Sequence, residues 1–125
     1  MPCRSIPIGL ALCALLFAAP ALCETPHEIG DRHEKGLTPS QSQALVASQG
    51  AVGGKALAAC GASLPPPGAV KFSLVMRLDA SGRIVQTWLE GEAPIAKCFQ
   101  SKMAGQTLFT PPFAPFYTTF DMMLK

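Results

Sequence analysis

The chain has 125 residues, which allows one small domain once a targeting segment is set aside. Ten Lys and Arg stand against eight Asp and Glu, for a formal net charge of +2. A balance so close to neutral lacks the basic footprint of a nucleic-acid binder.

Arg4 is the only charge before Glu24, and between them lies the apolar stretch "IPIGLALCALLFAA", residues 6–19, followed by Pro20 and small residues. This is the order of a secretory signal. The stretch falls about four to six residues short of the roughly 20 that a spanning helix needs, so a retained anchor is the weaker reading. Residues 1–23 are expected to be a cleaved signal peptide. Small-x-small patterns allow the cut after Ala21 or after Cys23. Lipidation of Cys23 ranks third, because Leu22 is large for the position before a lipidated cysteine. No later apolar stretch could span a membrane.

Five cysteines are present: Cys3, Cys13, Cys23, Cys60 and Cys98. A cut after Cys23 leaves two, an even number in an oxidising compartment, and Cys98 then has Cys60 as its evident disulfide partner. The pair is not a C-x-x-C redox motif, and no His and Cys cluster has zinc spacing. No metal or other cofactor is expected. Closing a loop of about 38 residues removes roughly 4 kcal/mol of unfolded-state entropy, against about 5–15 kcal/mol for a whole domain.

Residues 24–37, "ETPHEIGDRHEKGL", are expected to be a flexible polar lead-in. They hold both histidines, His27 and His33, and Asp31 stands where H-E-x-x-H would need its second His. Order is expected from "TPSQ": Thr38 as the cap, Pro39 at the first helical position, Gln41 closing a capping box. Leu45, Gln49, Val52, Ala56 and Cys60 then recur at helical spacing, with a break near Gly53 anticipated from the cost of Gly50, Gly53 and Gly54. Gly61 and the prolines at 65–67 end this helix.

In "VKFSLVMRLD", Val70, Phe72, Leu74, Met76 and Leu78 alternate with polar residues and Val75, which predicts a half-buried strand. "DASGR" is a turn, and "IVQTWLE" returns as the second strand of a hairpin. Its phase sets Val85, Thr87 and Leu89 on one face and Ile84 and Trp88 on the other, unless a bulge brings Ile84 inside. "EAPIAKCFQSKMAGQ" is a second helix, with Ile95, Cys98, Phe99, Lys102, Met103 and Gln106 on one side. "FYTTFDMML" is a third strand with Phe116, Thr118, Phe120, Met122 and Leu124 on one face. The expected fold class is α+β, helix-hairpin-helix-strand (αββαβ), with a three-stranded antiparallel sheet and both helices on one face.

With no His inside residues 38–125, a Ser-His or Cys-His nucleophile pair has no base in the folded part, and the chain is not expected to be an enzyme. Asp79 reads as a turn residue, and Glu90 and Glu92 as part of a solvated loop. Trp88 is either ordinary hairpin packing or a binding anchor on the open sheet face.

Cys60 at a helix end, the hairpin "AVKFSLVMRLDASGRIV", then "EAPIAKCF", "FTPP" at 109–112 and "YTTFDMML" follow one another in an order that resembles the TonB C-terminal-domain superfamily. The likeness is to its two-cysteine, AgmX-like members, and it covers about residues 55–124. The resemblance implies a TonB C-terminal-like domain over residues 38–125. It also implies a periplasmic location and a non-catalytic module that takes a protein or peptide partner in the cell envelope by adding a β-strand to a sheet edge. Tyr117, Thr119, Asp121 and Met123, on the open face of the last strand, are then the expected partner-binding residues, with Trp88 beside them. A second copy of the chain, forming a homodimer, is the other candidate to cover that edge. The sequence lacks the long proline-rich spacer of TonB. That argues against energy transduction across the envelope and for the fold being borrowed for another task. A periplasmic inhibitor or immunity protein against a toxin or enzyme is the alternative function.

Overall fold

A computed structural model describes residues 23–61 and 70–124. The expected signal peptide, apart from Cys23, the proline run at 65–67 and Lys125 lie outside the described residues. Among the described residues the order is α1 (Pro26–Lys35), α2 (Pro39–Ala59), β1 (Val70–Leu78), β2 (Ile84–Glu90), α3 (Pro94–Met103) and β3 (Phe116–Leu124). The fold is α+β. The three strands form one antiparallel sheet in the order β2-β1-β3. No described helix is long and apolar enough to cross a membrane.

β1 is central because its alternation carries the largest side chains inward: Phe72, Leu74, Met76 and Leu78 are all buried. α2 and α3 lie against each other over that face and share one core with it. Phe99 of α3 sits at the middle of this core, 5.6 Å from the Phe72 ring and 5.1 Å from the Phe120 ring. Cys60, at the end of α2, is joined to Cys98 of α3 with Cα atoms 5.9 Å apart, the expected pair. Ala96, absent from the expected stripe, is fully buried, whereas Lys102 is exposed.

α2 begins on the expected capping box, with Thr38 Oγ1 accepting from the Gln41 N–H and Gln41 Oε1 accepting from the Thr38 N–H. It does not break near Gly53. Gly53 is buried against the Phe120 ring, and that contact carries the helix through its glycines.

The hairpin resolves the phase of β2. Leu78 pairs with Ile84 and Arg77 with Gln86, so Val85 is the extra residue of a bulge. Ile84 therefore enters the core, and Val85 is 48% exposed instead of sharing a face with Thr87 and Leu89.

The larger correction concerns residues 24–37. They are no flexible lead-in: residues 26–35 form a helix, capped by Thr25, whose hydroxyl accepts from the Glu28 N–H, with Pro26 in the first turn. Arg32 donates two hydrogen bonds to the Glu24 carboxylate, both at 2.9 Å. The helix lacks an apolar stripe. It is held because it lies along β3, and that contact overrides its polar composition.

Candidate functional site

With β1 in the centre, β2 and β3 are the two sheet edges, and each has a row of main-chain groups turned away from the ladder. On β3 the row begins at Tyr117 and Thr119. The Tyr117 N–H donates to His33 Nδ1 at 3.0 Å, and the Thr119 N–H donates to Glu34 Oε1 at 3.2 Å. Gln49 of α2 donates to Thr118 Oγ1 at 3.0 Å and reaches the Thr119 carbonyl at 3.5 Å. Strand alternation turns the N–H and C=O of Asp121 and Met123 to the same outer side. Among the described residues those groups take no partner.

α1 runs antiparallel to β3, with His27 beside Asp121, Gly30 over Thr118 and Thr119, and His33 at Tyr117. Gly30 permits the approach: a Cβ there would stand 2.8 Å from Thr119 Oγ1. Thr119 Oγ1 is buried with no hydrogen-bond partner, a cost of about 1–3 kcal/mol carried by the docked helix. The His33 ring is wedged among Phe113, Phe116 and Tyr117, at centroid distances of 4.8, 5.4 and 5.7 Å.

The expected partner-binding residues divide accordingly. Asp121 and Met123 are exposed, Met123 at 57%. Tyr117 and Trp88 are half-buried and stacked on each other, their ring centres 5.5 Å apart. Thr119 is not an open contact residue: only 7% of it is accessible, because α1 lies over it. Sequence reading passed over His33 and Glu34, which hold the edge. The signal that could have found their helix is Thr25-Pro26-x-Glu28, the same cap-and-proline pattern recognised at Thr38-Pro39-x-Gln41.

The charged groups cluster at the Asp121 end, around an open depression of about 540 Å³ lined in part by His27, Lys71, Ser73, Glu90 and Asp121. Ser73 Oγ donates to Asp121 Oδ1 at 2.5 Å. His27 lies 3.4 Å from Asp31 and 3.6 Å from Asp121. Partial burial works to lower the His27 pKa, but the carboxylates of Asp31, Glu90 and Asp121 outweigh it and raise the value. Burial and the Arg32 charge lower that of His33. Burial raises that of Glu34 against the hydrogen bonds from Thr119 and Thr118.

On β2, Ile84 exchanges main-chain bonds with the segment after α3, donating to the Gln106 carbonyl at 2.8 Å and accepting from the Gly105 N–H at 3.2 Å. Beyond it, the outward groups of β2 have no partner among the described residues. The arrangement leaves main-chain donors and acceptors facing outward on both edge strands. Comparisons with protein-family models, curated proteins and solved structures return no match for this chain.

Proposed function

We propose that this is a secreted, periplasmic, non-catalytic binding module of the TonB C-terminal-like type, which takes a protein or peptide partner by strand addition at β3. The observation that carries the reading is the outward main chain of Asp121 and Met123, unpartnered among the described residues, at the end of an edge strand. Unpaired strand edges give main-chain affinity, and alternate side chains give selectivity. The order hairpin, helix, strand and the bond between Cys60 and Cys98 support the resemblance read from the sequence.

The test is Met123→Pro, which removes one outward N–H and leaves the core untouched. A partner recovered from periplasmic extract should bind this variant at least tenfold more weakly, with an unchanged circular dichroism spectrum. Full affinity in Met123→Pro would exclude the β3 edge as the site.

A further inference from the structure

β3 turns main-chain groups outward at Tyr117, Thr119, Asp121 and Met123, and the N–H groups of the first two are occupied by side chains of α1. In an antiparallel ladder, alternate N–H groups of an edge strand meet main-chain carbonyls of its neighbour. Here His33 Nδ1 and Glu34 Oε1 stand where two such carbonyls would be, at 3.0 and 3.2 Å. We propose that α1 is a stand-in for an added strand: an extended peptide displaces it, and the docking rail then runs from Tyr117 through Met123. This rests on the strand-addition reading and adds how that site is closed.

Three observations make α1 removable. The core built by α2, α3 and the sheet contains no residue of α1, so departure of the helix uncovers Thr119 and the outer side of Phe116 and leaves the rest of the interior packed. Docking leaves Thr119 Oγ1 buried and unpaired, and departure of α1 opens that hydroxyl to water or to an incoming chain. At ten residues, α1 is shorter than the roughly 12–15 at which isolated helices become even marginal in water, so its helical state depends on lying against β3.

The rail also specifies its occupant. On the open face an added strand runs beside Tyr117, Asp121 and exposed Met123; on the other it meets Phe120 and Met122, which are half-buried. A segment with alternating apolar residues and a basic residue opposite Asp121 fits both faces. The sequence of β1, which already pairs antiparallel with β3 through the opposite edge, alternates in this way and carries Lys71 and Arg77 on the face it shares with Asp121; in that ladder Ser73 stands opposite Asp121, and a shift of two residues sets Lys71 there.

The experiment combines amide exchange by NMR with titration of a synthetic peptide carrying the β1 sequence, residues 70–78. In the purified protein, the Tyr117 and Thr119 amides should exchange at least tenfold faster than those of Leu74 and Met76. Gly30→Ala, which drives a methyl group into Thr119, should speed them at least a further tenfold, leave Leu74 and Met76 unchanged, and bind the peptide at least tenfold more tightly. Glu34→Ala, which adds no atoms, should speed Thr119 alone. Exchange of Tyr117 and Thr119 in step with Leu74, in every variant, would overturn the removable helix. Equal peptide affinity in wild type and Gly30→Ala, with those amides freed, would show that α1 does not compete for the rail. Peptide binding to neither form would instead count against strand addition itself.

Discussion

Asp79 organises the hairpin turn by accepting from the Ser81 N–H, the Ser81 hydroxyl and the Arg83 N–H through one oxygen. These bonds, with Ser81 first, hold its carboxyl below the usual range. Gly82 completes the turn at φ +88°, and a Cβ there would overlap the Phe109 carbonyl. Gly82→Ala combines a disfavoured backbone with that overlap and should cost roughly 2–4 kcal/mol, read from urea unfolding. The histidines of α1 respond to pH with opposite signs. His33 must be neutral at Nδ1 to accept the Tyr117 N–H, and its folded pKa is depressed. Its contribution is therefore full above the unfolded value of 6.5 and is lost as pH falls through the folded value. The folded pKa of His27 is raised, so its contribution is present below 6.5 and fades as pH rises through that higher value. Acidification to about pH 5.5 should thus loosen α1 at Tyr117 and tighten it at Asp121. Amide exchange corrected for intrinsic rate should show Tyr117 losing protection, and His27→Gln should extend the loss toward Asp121.

Among the elements, β1, α2, α3 and β3 were legible because each buries one periodic face, and burial is what periodicity records. Phe99 is the extreme case, fully buried between Phe72 and Phe120. Phe99→Ala should cost about 3–5 kcal/mol, measured by denaturant midpoint, with the slope of the transition unchanged. One phase stays open in the sequence and one element escapes it, each for a physical reason. The second strand is legible at its observed bounds but not in its phase, and the bulge at Val85 decides it for the alternative with Ile84 inside, by inserting one residue without altering composition. α1 is held by a glycine contact and by two polar side chains that cap main-chain donors, none of which leaves a hydrophobic period. The candidate site was therefore half legible: the sequence marks Tyr117, Asp121 and Met123 as one face of the last strand, but nothing in that strand shows that a segment some eighty residues earlier lies on Thr119.

At the scale of the molecule, the disulfide between Cys60 and Cys98 ties the end of α2 to the middle of α3 across 38 residues of chain. In the chain-entropy model this contributes about 4 kcal/mol, a large share of the stability of a domain this small. Cys60→Ser should lose about 2–5 kcal/mol, and the thermal midpoint should fall by on the order of 10 °C or more. An unchanged midpoint in the variant would mean that α2 and α3 are held over the sheet without the bond.

Between α1 and α2 lie only Gly36, Leu37 and Thr38, so a released α1 cannot diffuse away. A competitor on so short a leash has an effective concentration on the order of millimolar at β3. Any incoming peptide sees its affinity multiplied by the small fraction of time the edge is vacant, so chance encounters with weak strands are rejected. The same leash sets the clock on return. A segment tethered this closely returns to β3 in about a microsecond or less and becomes helical again as it docks, so the edge closes before a second exposed strand can find it. On the proposed exchange, the protein keeps a sticky sheet edge without offering it continuously to neighbours that would polymerise along it.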